Sequence, residues 1–473
     1  MTNETRTSPC CRRRSFFEED PSSTVGSTYG IILAWFASAP SAEVFPRRPC
    51  AVPATDTSPP AGDALADDAL LTPTTATVDL SAVRHNARLV QQRAAPADLM
   101  AVVKADAYGH GAIRVARALR AEGVSHFAVA RVPEALELRA AGIEAPIQVF
   151  AAPLPEHLPA YARHRLGVTV SSPAIADALV ELAAGRAPSA APIRAHVKVE
   201  TGMERLGEPP EEAAATVRRL AGTDGVEVAG LWTHFAAAAD PEQEAFTRRQ
   251  LEILQEAAEA AGPLPNGRVH AANTPATMHF EESFRALGPT FVRCGLALYG
   301  LTLFPPAVRA SLDGAQLRPA MRFSSKITHL KTIEAGASVS YGRGWTAPER
   351  VRLATVGCGY GDGYARILSG RAEVGVAGQR FPVVGRICMD LMMVNLGPPA
   401  DAPPAEVGDE VVLFGPGGPH AQEVADWSET IPYEVATRVT TRVPRRYPGE
   451  ATATAAATAP RVPAHASSNG HAE

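Results

Sequence analysis

The chain has 473 residues, 46% of them hydrophobic and 20% charged, with a formal net charge of −5 at pH 7. That is enough chain for two or three domains around a sizeable core, and the mild acidity speaks against a nucleic-acid surface. The six cysteines, Cys10, Cys11, Cys50, Cys294, Cys358 and Cys388, form no CxxC pair, which argues against a zinc site or a disulfide framework and for a reducing, cytoplasmic compartment.

Residues 1–73 are rich in Ser, Thr, Pro and Ala, lack a sustained period and read as a disordered extension. Arg13-Arg14-Ser15-Phe16-Phe17 looks like a twin-arginine export signal, but Glu18, Glu19 and Asp20 separate it from a short, distant apolar run at Ile31 to Ala37. The extension is therefore read as an idle tail or an upstream start rather than an export signal. No stretch is long enough to span a membrane.

From Ala76 the pattern turns regular. TVDLSAVRHNARLVQQRA reads as a strand and then an amphipathic helix with Leu80, Val83, Ala87 and Val90 on one face. Strand-like runs follow at Leu99–Val103, Phe127–Ala130, Ile147–Phe150, Gly167–Val170, Ala195–Val199, Val228–Trp232, Arg268–Ala271 and Thr290–Arg293. Helix-like segments, among them Pro133–Ala141, Pro173–Ala184, Glu211–Ala221 and Pro241–Ala261, separate many of them. Eight strands alternating with helices predict an α/β fold, a (β/α)8 TIM-type barrel over 74–305. Near Phe304-Pro305-Pro306 the helical period fades. Short runs at Ser324–Thr332, Ser338–Tyr341, Arg352–Val356, Glu373–Val376, Arg380–Val384, Met392–Leu396 and Glu410–Phe414 predict a mainly β domain over 306–448. Residues 449–473 read as a disordered tail.

In such a barrel the working face is the ring of loops after the strands. Lys104 ends the first listed run, in LMAVVKADAYGHG, where desolvation would make it a nucleophilic amine; a solvated lysine at a strand end is the plainer alternative. Lys198, Glu200 and Arg205 follow the fifth run, His234 the sixth, Asn273 and Thr274 the seventh, and Arg293, Gly295 and Tyr299 the eighth. Taken singly, His234 also fits a core histidine, Arg205 a surface ion pair, and Asn273 with Thr274 a helix N-cap. Polar residues converge on this rim, and the opposite ends of the strands are expected to lack such a set. The loops after the seventh and eighth strands suit a phosphate, and Lys104 can form a Schiff base with an aldehyde on the same ligand.

AVVKADAYGHG, KVETGMERLG, THFA, AANTPAT, VRCGLALYG, VSYGRGW, GYGDGYAR, GRICMD and IPYE with RVPRRY occur in this order from Ala76 to Tyr447. Together they resemble the alanine racemase family. The resemblance implies pyridoxal 5'-phosphate (PLP) as cofactor, alanine as substrate, D-alanine supply for peptidoglycan, and a homodimer with shared sites, free of nucleic acid and membrane. It implies Lys104 as the PLP lysine and one acid/base, and Tyr341 from the partner subunit as the other, working on opposite faces of a planar carbanion. His234 and Arg205 would link to Tyr341 through hydrogen bonds. Arg293 would face the pyridine nitrogen and leave it unprotonated. Tyr108, Thr274, Gly295, Leu296 and Tyr433 would hold the phosphate, with Asn273 beside them. Arg205 and the Met389 amide would meet the substrate carboxylate. Tyr360, Arg366, Arg386 and Asp390 would line the entrance, and Lys198 would be carbamylated to orient Arg205.

Three positions depart from the family pattern: Thr274 replaces a serine, Cys294 a proline, and THFAAAAD is one residue longer than usual before its acid, so Asp240 carries no role over. The resemblance also leaves room for a racemase of serine or broader scope, a decarboxylase on the same fold, or a PLP carrier without turnover. VSYG with GYGDGY and the presence of a β domain favour the racemase.

Overall fold

The computed structural model describes residues 71–264, 266–301 and 317–449. The expected terminal extensions and the domain join at Phe304-Pro305-Pro306 lie outside the described residues.

Nine strands precede the gap at 302–316. They are β1 (Thr75–Val78), β2 (Asp98–Val102), β3 (His126–Val129), β4 (Ile147–Val149), β5 (Leu166–Val170), β6 (Ile193–Lys198), β7 (Val226–Trp232), β8 (Arg268–His270) and β9 (Phe291–Cys294). Strands β2 to β9 form one parallel sheet in the order β8-β7-β6-β5-β4-β3-β2-β9. The two ends meet through a parallel bridge between Asn273 and Arg293, with Arg293 N donating to Ala272 O at 2.9 Å. All eight expected barrel strands are present, with ends differing by a residue or two.

Burial on both faces explains their near-continuous apolar runs: β2, β4 and β5 are buried along almost their whole length. The helices bury one stripe each. Leu80–Ala94 turns Leu80, Val83, Ala87 and Val90 inward, and Asp79 caps it by accepting from Ser81 N at 2.8 Å and Ala82 N at 3.2 Å.

One strand of the segment pairs outside the barrel, and one expectation is corrected. Strand β1 lies in the expected barrel segment but pairs elsewhere. It runs antiparallel to β10 (Met321–Ile333), with Val78 opposite Met321. Its hydrogen-bond partners lie some 245 residues away in the chain, which no local pattern can specify. The end of the barrel opposite the loops also carries polar groups. His126, Gln148, Arg194 and His196 line a small cavity there with Met100, Phe127 and Phe291. Gln148 and His196 are buried within strands rather than carried on loops, so the set escapes a reading of loops alone.

The second sheet adds β13 (Val351–Val356), β14 (Glu373–Val376), β15 (Gln379–Val384), β16 (Met392–Asn395), β17 (Glu410–Phe414) and β18 (Arg445–Arg446), while β11 (Ser338–Val339) and β12 (Trp345–Thr346) pair only with each other. Long β10 is its spine: its first half pairs antiparallel with β1 and β17, and its second half with β13. A register shift between Ile327 and His329 marks the change of partner on the β13 side. The expected strand Ser338–Tyr341 stops at Val339. Ser340 adopts φ 67°, and its hydroxyl donates to Arg386 O at 2.6 Å, which turns Tyr341 out of the ladder into a single 3-10 turn.

The β domain and barrel meet at defined points. Buried Asn86, on the first helix, donates to Leu298 O at 3.2 Å and Arg318 O at 2.8 Å, and accepts from Arg318 N at 2.8 Å. No helix among the described residues is long and apolar enough to cross a membrane.

Candidate active site

A cavity of about 980 Å³ opens at the C-terminal ends of the barrel strands. Lys104, Tyr108, Lys198, Arg205, His234, Asn273, Thr274, Arg293, Gly295, Leu296 and Tyr433 all line it. Tyr433 comes from the helix Pro432–Thr437 of the β domain, whereas Glu200 and Tyr299, also expected on this rim, do not line the cavity: Glu200 accepts from Gly202 N at 2.7 Å and Met203 N at 2.6 Å, and buried Tyr299 donates to Val102 O at 2.9 Å.

Lys104 follows β2 directly. The next four residues, Ala105, Asp106, Ala107 and Tyr108, all have φ of 52–53°, a full turn of left-handed backbone built from L-residues without glycine. Such residues cost about 1–2 kcal/mol each, so the turn stores on the order of 4–8 kcal/mol. Specific bonds hold it. Glu134 accepts from Ala105 N at 2.6 Å, Asp106 accepts from Ala112 N at 2.7 Å, and the His110 Nδ1–H reaches Ala107 O at 3.0 Å and Tyr108 O at 2.9 Å. The expected polar glycine turn is thus a strained device that fixes the lysine. Burial, then the nearby Arg205 cation, lowers the Lys104 pKa from its ordinary value.

Arg293 is buried at the base of the cavity. Its terminal nitrogens donate to His270 Nδ1 at 2.8 Å, Thr233 O at 2.7 Å, Ala271 O at 2.8 Å and His234 Nδ1 at 3.3 Å. Those bonds leave its Nε–H unspent. Because a guanidinium only donates, both imidazoles accept at Nδ1 and carry their proton on Nε2. Burial pushes Arg293 down to about 9, which leaves it a cation at neutral pH. Burial, then Arg293, holds His234 and His270 well below the usual histidine range, so both are neutral. His270 and Trp232 are functional residues that the loop reading missed. Trp232 stacks on His270 with ring centres 5.9 Å apart and planes within 7°. Their signal was inward alternation on β7 and β8, masked by the apolar character of the runs.

Lys198 is 1% exposed. Its ammonium lies 5.2 Å from the Trp232 ring centre, and burial pushes its pKa down to about 8. Arg205, at the rim, has no carboxylate partner among the described residues, which removes the surface ion-pair alternative. Asn273 does cap the helix Thr274–His279, accepting from Ala276 N at 3.1 Å, so its structural role and its place at the cavity coexist. Asp240 also reaches the cavity while accepting from Glu242 N at 3.0 Å.

The donor set fits a phosphorylated pyridine aldehyde. Thr274 Oγ1 and Gly295 N lie 3.3 Å apart at the ends of β8 and β9. A Cβ on Gly295 would stand 2.7 Å from the Tyr108 hydroxyl, so only glycine leaves this cradle open. Tyr108 and Tyr433 meet edge to face at 6.2 Å, and neither hydroxyl has a partner among the described residues. Cys294 points away: its thiol donates to Thr277 Oγ1 at 3.4 Å, and burial pushes it up to about 11, leaving it inert.

The remaining expected residues form a second group. Tyr341, Tyr360, Arg366, Arg386, Met389 and Asp390 are exposed on the β domain and do not line the cavity. Their loops interlock: Tyr360 N donates to Cys388 O at 3.0 Å, and Gly361 N to Met389 O at 2.8 Å. Asp390 pairs with Arg442 at 2.7 Å. Tyr341 is 72% exposed, with exposed Tyr360, Ile367, Met389 and Leu391 on the same interlocked loops. Within one chain, Tyr341 therefore meets neither His234 nor Arg205.

Comparison with known proteins agrees with this layout. Residues 78–303 match the model of the alanine racemase N-terminal domain, and 320–447 that of the C-terminal domain. An alanine racemase of Desulforamulus reducens is 38% identical over 368 residues, covering 77% of this chain and 95% of that protein. One from Mycolicibacterium vanbaalenii is 41% identical over 372 residues, covering 77% and 91%. The solved alanine racemase of Clostridium difficile superposes with a TM-score of 0.73 at 34% identity, covering 79% of this chain and 95% of that one. With both domain models matched across nearly all of the described residues, the chain belongs to the alanine racemase family.

Proposed function

We propose that this chain interconverts L- and D-alanine with PLP as its cofactor, as a homodimer in which each cavity is completed by the partner, and that it supplies D-alanine for peptidoglycan in the cytoplasm. The observation that carries the reading is the division of the expected residues. One set surrounds Lys104 in the cavity, and the other surrounds Tyr341 on an exposed, partly apolar face. A face of that kind marks an interaction surface, and a two-fold pair would bring each set to the other.

When bound, the cofactor supplies an aldehyde that condenses with amines and an electron-withdrawing ring that acidifies the α-hydrogen of the attached amino acid. Lys104 holds the aldehyde at rest. Its partly buried amine would move a proton on one face of the substrate α-carbon, the face used for the D-antipode. The partner subunit's Tyr341 does the same on the opposite face for the L-antipode. His234 supports that phenol through its Nε2–H, because Arg293 already occupies Nδ1. Arg293 would face the cofactor's ring nitrogen and, being a donor only, would leave it unprotonated. Tyr108, Thr274, Gly295, Leu296 and Tyr433 hold the phosphate. Arg205 and the backbone amide of the partner subunit's Met389 orient the substrate carboxylate. Tyr360, Arg366, Arg386 and Asp390 border the entrance at the subunit boundary. The cation-lined, low-pKa environment of Lys198 favours the neutral amine that reacts with CO2, so Lys198 becomes a carbamate against Arg205.

The test is exchange of the alanine α-proton in D2O, followed by racemisation. The full chain with PLP exchanges and racemises alanine, and Lys104→Ala does neither. A colourless Lys104→Ala protein that still racemises refutes the reading.

A further inference from the structure

We propose that Arg445, near the C-terminal end of the described chain, is a positioning residue that sets the spacing between the two ends of the cofactor cradle. The inference rests on the cofactor reading above, because it concerns the separation of Lys104 and Tyr108 from Tyr433.

Two elements carry those groups. The left-handed turn after Lys104 carries Tyr108, and the helix Pro432–Thr437 carries Tyr433. Arg445 bonds to the turn and to the segment that follows the helix. Its Nε donates to Gly109 O at 3.0 Å, the carbonyl that closes the turn. Its terminal nitrogens donate to Val439 O at 2.6 Å, Thr440 O at 2.5 Å and Val443 O at 2.8 Å, in the segment that follows the helix. Four of the five guanidinium N–H groups are thus spent on main-chain carbonyls. Two further contacts tighten the joint. A Cβ on Gly109 would stand 2.6 Å from Ala436 O, so the bare turn lies directly against the helix. Tyr447, two residues on from Arg445, donates to His110 O at 3.1 Å. Arg445 is itself anchored in β18, opposite Ala76 of β1. A turn of L-residues at positive φ does not hold itself, and nothing in the catalytic chemistry accounts for an arginine committed to these carbonyls. Lysine cannot replace it. An ammonium offers three donors from one point, whereas the planar fork reaches carbonyls on two elements at once.

The experiment compares the full-length wild type with Arg445→Lys and Arg445→Ala. Cofactor-free protein is titrated with PLP and with pyridoxal, which lacks the phosphate. Amide hydrogen exchange is followed over 104–112, where Ala107 N and Gly111 N bond within the turn. Both variants should bind PLP at least about tenfold more weakly. Much of wild type's preference for PLP over pyridoxal should vanish. Exchange over 104–112 should quicken, with β5 and β6 unchanged. If Arg445→Ala does not fold, Arg445→Lys carries the test alone. The proposal is overturned if Arg445→Lys binds PLP as wild type does, or if exchange quickens equally throughout the barrel. Failure of wild type to bind PLP would instead overturn the functional reading, and the exchange measurement would still decide the clamp.

Discussion

Replacing Lys198 with methionine should stabilise the cofactor-free, carbamate-free protein. Lys198 sits under Trp232 with its pKa pushed from an ordinary 10.5 to about 8 by burial. At 1.36 kcal/mol per pKa unit, that corresponds to about 3 kcal/mol of buried-charge cost at neutral pH. The contact of this desolvated ammonium with the Trp232 face, 5.2 Å away, returns about 2 kcal/mol, so the net gain from a neutral side chain of similar length is about 1 kcal/mol. The pH dependence has a definite sign. The folded pKa lies below the unfolded one, so between about 8 and 10.5 the unfolded chain binds the extra proton. Wild-type stability therefore rises across that window, and below about 8 the cost is constant. Urea unfolding at a series of pH values, with CO2 excluded and tryptophan fluorescence as the readout, should find Lys198→Met more stable at pH 7. The gap should shrink as pH rises above 8. Bicarbonate should shrink it at pH 7.5 by converting the wild-type ammonium to a carbamate. A methionine variant less stable than wild type at pH 7, or a gap that ignores pH, refutes the reasoning.

Acid should unfold the protein steeply. Burial pushes His110 to about 4 and His196 to about 3, and holds His270 well below its usual range, so the folded state refuses protons that the unfolded chain takes below about 6.5. Three such groups remove about 4 kcal/mol of stability per pH unit once pH falls below 6. Urea midpoints that stay level from pH 7 to 5 would contradict this. At the phosphate cradle, Gly295→Ala places a methyl 2.7 Å from the Tyr108 hydroxyl. It should weaken PLP binding by about tenfold or more, about 1.4 kcal/mol, while thermal stability changes little. Equal affinity in a PLP titration would show that the cradle lies elsewhere.

Local pattern carried the barrel because buried parallel strands announce themselves as short apolar runs between amphipathic helices. Ordered loops after those runs then placed Lys104, Lys198, Arg205, His234, Asn273, Thr274 and Arg293 on one rim. What local pattern could not carry was non-local. Strand β1 takes its partner from beyond residue 320, and the left-handed turn at Ala105–Tyr108 depends on Glu134 and Arg445 rather than on its own residues. His270 and Trp232 were hidden because they sit within strands rather than on loops, where they hold Arg293. Tyr341 was found by its motif, but its strand was set one turn too long, since Ser340 leaves the ladder through a hydrogen bond to the distant Arg386.

The account's central claim is that an amine and a phenol from different subunits share each cavity. Lys104→Ala and Tyr341→Phe proteins, each inactive alone, should be mixed under conditions that exchange subunits. Random pairing makes half the dimers mixed, each with one site that has both groups, so activity should return to about a quarter of the wild-type level. Mixed dimers that form in that proportion yet remain inactive would contradict the claim.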